Sequence, residues 1–200
     1  MPHHYEILGT ETAYEGFFRI LRYRLRHGLF AGGMSGELTR ELFERGHSVG
    51  VLPYDAARDR VLLVEQFRVG ALAAPRGPWL MEIIAGVVEP GEAPDAVARR
   101  EAVEEADCRV DELMPICRYL VSPGGTSEMV HLFCAPVDSE GLGGVHGKPE
   151  EGEDIQVHVL PLDAALAMIE DGTIHAAMPI IALQWLALNR ERLWDLWAEP

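Results

Sequence analysis

Between Trp79 and Cys108 the chain changes its periodicity, and that change limits what it can fold into. Trp79 to Val88 is an extended apolar stretch closed by Glu89-Pro90-Gly91-Glu92. From Pro94 to Ala106, the residues Ala96, Val97, Arg100, Val103 and Glu104 recur at three- and four-residue steps, and Pro94-Asp95 suit a first helical turn. The expectation is strand, turn, helix. On that helix Glu101, Glu104 and Glu105 stand at i, i+3 and i+4, so three carboxylates share one face. Like charges this close destabilise a helix by themselves. Hard oxygen donors so arranged suit Mg²⁺ or Mn²⁺, which complete their coordination with water and phosphate oxygens. A Glu-Glu pair on an exposed helix is otherwise usually a solvated face, so the surrounding pattern has to decide.

That pattern is strand-rich. From Tyr14 to about Arg45, Phe18, Ile20, Tyr23 and Leu25 alternate with Arg19, Arg22, Arg24 and Arg26, the period of half-buried antiparallel strands. Gly32-Gly33 fits a hairpin turn. Ser48–Tyr54 and Val61–Phe67 read as two strands joined by a turn at Asp55–Asp59, and further strands are expected around Val110, Ile116–Val121, Met129–Val137 and Ile155–Leu160. Helices are expected from Leu162 to Glu170, stopped by Asp171-Gly172, and from about Pro179 to Trp197. The outcome is a mixed sheet with few helices, with residues 1–45 as N-terminal antiparallel strands and 46–200 as the main domain.

Two hundred residues can bury a core without disulfides. Cys108, Cys117 and Cys134 lack metal-ligand spacing and read as reduced thiols, Cys108 as core rather than nucleophile. Neither an apolar leader nor a stretch of about 18 apolar residues is seen, so a soluble, cytoplasmic protein without membrane partners is expected. The balance of 32 acidic against 17 basic residues, net charge −15, argues against nucleic acid as a partner. A phosphate substrate would then need local reversal of that field by divalent cations or a few arginines.

The spacing of the acidic segment is Gly86, five residues, Glu92, seven residues, Arg100-Glu101, two residues, Glu104-Glu105. It resembles the Nudix box at every charged position; the box's last glycine is Asp107 here, at a helix end where a left-handed residue is required and Asp is tolerated. The resemblance implies an α/β/α sandwich around a mixed sheet, with a small N-terminal antiparallel sheet. It implies Glu101 and Glu105 as principal ligands of two or three Mg²⁺ ions, with Glu104, Glu153 and the Ala85 carbonyl assisting. It also implies an Arg100–Glu92 pair pinning the loop to the helix, and a Gly86 that leaves room for the backbone to turn.

Outside the box, Leu120 to Glu128, Tyr14 to Phe18, Thr39 to Gly46, Glu65 to Arg68, Glu151 to Ile155 and Ile181 to Leu186 resemble the bacterial ADP-ribose pyrophosphatase branch of that family. From this branch Phe17 and Phe18 would pack on adenine, Arg40, Glu41 and Arg45 would contact the nucleotide, and Arg68 would bind a phosphate or the terminal ribose. Ser122, Pro123, Gly124 and Glu128 would line the ribose-phosphate end. Glu151, in an acidic loop after Gly143-Gly144-Val145-His146-Gly147 expected to be mobile, would be the general base acting with Glu105. His131, His146 and His158 read as incidental. The implied reaction is Mg²⁺-dependent hydrolysis of ADP-ribose to AMP and ribose 5-phosphate by a homodimer that exchanges N-terminal residues. The alternatives are another nucleoside diphosphate sugar (GDP-mannose, an ADP-sugar) or NADH as substrate, and a non-catalytic ADP-ribose sensor.

Overall fold

The computed structural model describes residues 3–198. Its contacts divide the chain into two units, Met1–His47 with Tyr119–Met129, and Ser48–Arg118 with Val130–Pro200.

In the first unit, β1 (Tyr5–Glu15), β2 (Arg19–His27) and β3 (Leu38–Glu44) form an antiparallel sheet in the order β1-β2-β3. The sequence suggested strands only from Tyr14, whereas β1 begins at Tyr5. Register shifts between Ile7 and Gly9 and between Thr12 and Tyr14 break the period-2 alternation by which a strand is recognised. The Gly32-Gly33 turn is as expected: the Leu29 N–H reaches Gly33 O at 3.0 Å and the Gly32 N–H reaches Leu29 O at 2.9 Å. Both glycines have positive φ, 94° and 78°, a backbone conformation that residues with a side chain rarely adopt.

The second unit is built on β4 (His47–Asp55), β5 (Arg60–Phe67), β6 (Trp79–Glu82), β7 (Ile84–Val88), β8 (Met114–Leu120), β9 (Met129–Pro136), β10 (Gly144–His146) and β11 (Ile155–Pro161). The path runs β10-β11-β5-β4-β9-β8, with β6 on β5 and β7 on β4. Because β4 runs parallel to β9 while β5 and β11 are antiparallel, the sheet is mixed. Every residue of β4 from Ser48 to Asp55 is buried, which requires a layer on each face.

One layer is α1 (Pro94–Ala106). Its Val97, Ala98, Ala102 and Ala106 pack in one cluster with Val49, Val51, Leu62, Val64 and Ile84. Alanines at i, i+4 and i+8 let the helix axis approach the sheet. The other layer includes α3 (Ala177–Trp197), paired with α2 (Leu162–Glu170). A Cβ on Gly50 of β4 would lie 2.5 Å from Met178 Sδ, so that glycine is fixed by helix contact. Leu183, Leu186 and Leu193 of α3 are wholly buried; at about 1.5–3 kcal/mol each, they hold the helix more firmly than its propensity does. This is the α/β/α sandwich around a mixed sheet.

Three local expectations are corrected. The Trp79–Val88 stretch is two strands, broken at the fully buried Ile83, so one apolar run serves both β5 and β4. Val110 is not in a strand: it is 3% exposed within irregular chain, and its core burial produced the apolar signal. Residues 143–147 include β10, whose backbone pairs Gly144, Val145 and His146 with Val157, Gln156 and Ile155.

Helix α1 ends as the sequence required. Asp107 is left-handed at φ 46°, ψ 34°, and the Cys108 N–H closes on Ala102 O at 2.9 Å. The three cysteines are unpaired. Burial pushes the Cys108 thiol up to about 11, consistent with a core residue.

Candidate active site

Strand β7, the turn after it and α1 form one continuous acidic platform in the second unit. Gly86 lies in β7 with ordinary backbone angles, so it does not serve to turn the chain as expected. The close approach of Glu101 requires it: a Cβ there would sit 2.3 Å from Glu101 Cγ and 2.4 Å from Cδ and Oε1. In the turn, the Glu89 N–H donates to Glu92 Oε2 at 3.0 Å, and Arg100 Nη1 donates to Glu92 Oε1 at 2.5 Å. The backbone hydrogen bond first, then Arg100, lowers the Glu92 pKa. Arg100 also reaches Glu101 Oε1 at 3.1 Å. One guanidinium therefore pins both the turn and the first carboxylate.

Glu105 is 3% exposed and accepts the Ala85 N–H at 3.0 Å. Its pKa is raised to about 8, foremost by burial, with the charges of Glu101 and Glu153 adding to the effect and Ala85 and Arg68 opposing it. Glu101 is raised for the same first reason, with Glu104 and Glu153 contributing. Arg68, just past β5, donates to Glu82 Oε2 at 2.8 Å.

The loop before β11 approaches the same helix. Lys148 Nζ lies 2.7 Å from Glu104 Oε2, and the Lys148 N–H donates to Glu153 Oε2 at 3.1 Å. A short 3-10 turn, Pro149–Glu151, lies between them; the Glu151 side chain is outside the described residues. Sequence reasoning passed over Lys148, although its signal was available in its position between the glycine-rich stretch and four acidic residues. His146 Nε2 is 2.9 Å from Gly143 O and His158 Nε2 is 2.9 Å from Glu65 Oε2, local contacts in keeping with incidental roles.

Among the described residues no three His, Cys, Asp or Glu side chains converge as a finished metal shell. Glu101 turns to Arg100, Glu104 to Lys148 and Glu105 to the Ala85 amide. The donor chemistry nonetheless fits a hard divalent cation, because a buried carboxylate beside others stays ionised only against a balancing positive charge.

The first unit gathers a second group. Phe17, 96% exposed, and Phe18, 37% exposed, stand in the β1–β2 turn with ring centroids 4.7 Å apart. Phe18 meets Phe43 edge-on at 5.1 Å, and the Arg45 guanidinium lies 5.6 Å over its ring. Arg45 Nε is 3.6 Å from Glu128 Oε2, an acid only 7% exposed. The 122–128 loop is tied to β3: the Phe43 N–H donates to Gly125 O at 2.8 Å, and Ser127 Oγ donates to Glu44 Oε2 at 2.8 Å. Ser122 O closes the loop by accepting the Gly125 and Thr126 amides, both at 2.9 Å, with Pro123 and Gly124 at its tip. Phe18, Arg45 and Glu128 thus form one cluster. Arg40 and Glu41 have other partners, Thr39 O at 2.8 Å and Arg22 at 3.1 Å.

Comparison with known proteins finds relatives over nearly the whole chain. The chain is 47% identical over 193 residues to the ADP-ribose pyrophosphatase of Escherichia coli (strain K12), covering 96% of this chain and 92% of that protein. It is 48% identical over 195 residues to that of Haemophilus influenzae, covering 96% and 90%. The GDP-mannose pyrophosphatase of Citrobacter koseri is 35% identical over 148 residues, covering 74% and 76%. A crystal structure of an ADP compounds hydrolase superposes with a TM-score of 0.71 at 21% identity, covering 98% of this chain and 97% of that one, a likeness of fold. The family model for the NUDIX domain matches residues 44–179, and the chain belongs to that family.

Proposed function

We propose that this protein hydrolyses the pyrophosphate of ADP-ribose to AMP and ribose 5-phosphate with Mg²⁺. The observation that carries the reading is identity of 47–48% to proteins named ADP-ribose pyrophosphatase across 96% of the chain, N-terminal strands included.

Glu101, Glu104, Glu105 and Glu153 with the Ala85 carbonyl would hold two or three Mg²⁺ or Mn²⁺ ions, which supply neutralisation of phosphate charge and a more acidic attacking water. Arg100 and Glu92 keep the ligand helix against its turn. Arg68 binds a phosphate or the terminal ribose, and its bond to Glu82 presets the guanidinium. Phe17 and Phe18 pack on the adenine, Arg40, Glu41 and Arg45 contact the nucleotide, and Ser122, Pro123, Gly124 and Glu128 line the ribose-phosphate end. Glu151 takes the proton of the attacking water as general base. The residues 1–45 serve substrate contacts and dimerisation: Tyr5, Ile7, Tyr14, Phe30 and Met34 leave large apolar surface exposed, which supports a homodimer with N-terminal exchange. The protein acts in the cytoplasm, and no helix among the described residues is long and apolar enough to cross a membrane.

A second reading is GDP-mannose hydrolysis, favoured by the 35% identity to proteins of that name. Initial rates with ADP-ribose, GDP-mannose and NADH in Mg²⁺ decide between the two. ADP-ribose is expected to be cut fastest, with Glu105→Gln and Glu151→Gln both severely impaired. Faster cleavage of GDP-mannose would overturn the choice of substrate, and equally negligible turnover by wild type and both variants would indicate a binding protein.

A further inference from the structure

Lys148 is the only lysine in the chain; the other sixteen basic residues are arginines. It opens the most acidic loop, followed within six residues by Glu150, Glu151, Glu153 and Asp154. Across from it, α1 carries Glu101, Glu104 and Glu105. Two surfaces of one sign repel, so a positive charge is needed for the loop to rest on the helix.

The geometry supplies that charge. Lys148 Nζ is 2.7 Å from Glu104 Oε2, with side chains 34% and 26% exposed, so water screens the pair only in part. The loop is also closed on this lysine by its own hydrogen bonds. Its N–H donates to Glu153 Oε2 at 3.1 Å, and the Glu153 N–H returns to Lys148 O at 3.1 Å. Gly147 has φ +97°, and a Cβ there would come within 2.9 Å of Glu153 Cβ; Gly152 has φ +75°. Glycine thus stands on both sides of the 3-10 turn at conformations other residues rarely adopt.

We propose that Lys148 is a positioning residue: its ammonium tethers the 147–153 loop to α1 through Glu104, and a divalent cation arriving at the α1 carboxylates competes with it for that group. The inference rests on the metal-dependent reading of the platform. Glu104 cannot serve the ammonium and a cation fully at once, so loop position and metal loading are coupled. A lysine suits such exchange because its compact charge sits on a flexible stem, whereas an arginine fork holds a carboxylate by two bonds.

The test compares wild type with Lys148→Met, which keeps the stem and removes the charge, and with Lys148→Arg, which keeps the charge. Without metal, amide hydrogen exchange over 147–153 is expected to be severalfold faster in Lys148→Met and near wild type in Lys148→Arg. In calorimetric titrations without substrate, Mg²⁺ should bind Lys148→Met more tightly, by up to about fivefold for a partly exposed pair, and Lys148→Arg no more tightly than wild type. Unchanged exchange would overturn the tether, and unchanged Mg²⁺ affinity in Lys148→Met would overturn the competition. ADP-ribose hydrolysis by wild type is measured in parallel. Turnover with Mg²⁺ but no Lys148 effect removes this inference alone, whereas neither Mg²⁺ binding nor turnover removes the enzyme reading and this inference with it.

Discussion

Replacing Gly86 by alanine separates the stability of the platform from its chemistry. The new Cβ would fall 2.3 Å from Glu101 Cγ and 2.4 Å from Cδ and Oε1. Ordinary contact is about 3.5 Å, so Glu101 must retreat by about 1 Å. The atoms it meets belong to the outer part of one flexible side chain, and Gly86 lies in a strand with no positive φ to preserve. The expected stability loss is therefore small, about 1 kcal/mol or less. Misplacing a first ligand by about 1 Å is a different matter and costs about 100-fold in rate. Calorimetric melting without metal, Mg²⁺ titration and kcat/KM with ADP-ribose read the three consequences. A variant that melts within a few degrees of wild type but loses Mg²⁺ affinity and about two orders of magnitude in kcat/KM bears out the reasoning. Wild-type Mg²⁺ binding and turnover within threefold would refute it, because Glu101 would then not need the space Gly86 leaves.

Other outcomes follow from the same geometry. Glu105 has its folded pKa raised to about 8 by burial first, above its ordinary value. The stability tied to its protonated form is therefore complete below about pH 4.3 and is lost as pH rises through about 8. Metal-free melting temperature should fall over that window, Glu105→Gln should flatten the fall, and Mg²⁺ should raise the melting temperature more at pH 8 than at pH 5. A flat wild-type profile would contradict the buried charge. Asp107→Gly relieves a left-handed residue at φ 46° and should add about 1 kcal/mol, about 2–4 °C in melting temperature for a chain of this length, with kcat unchanged; a lowered melting temperature counts against it. Phe18→Ala should raise KM for ADP-ribose about tenfold with kcat little changed, from about 1–3 kcal/mol of lost base stacking. An unaltered KM would remove Phe18 from the adenine site.

The features legible in the sequence are those that depend on neighbours along the chain. The helix of Pro94–Ala106, its carboxylate face, its left-handed end at Asp107 and the Gly32-Gly33 turn are set by local spacing and backbone sterics. The apolar runs at Ser48–Tyr54 and Val61–Phe67 announce strands because both faces are buried along Ser48–Tyr54 and from Val61 to Val64. The failures share a cause. Strand β1 was obscured because its bulges near Gly9 and Tyr14 break the alternation, and Val110 read as strand because core burial and strand pairing leave the same apolar trace. The break at Ile83 and the pairing of Gly144–His146 depend on partners distant in sequence.

The same division runs through the site. Local spacing fixed which carboxylates share a face of α1, and likeness to a family assigned them a metal. Only the tertiary structure decided that Gly86 exists to admit Glu101, that burial rather than charge alone shifts Glu105, and that Lys148 reaches Glu104 from a loop more than forty residues away. Each of these turns on distance through space and exclusion of water, quantities a linear pattern does not contain.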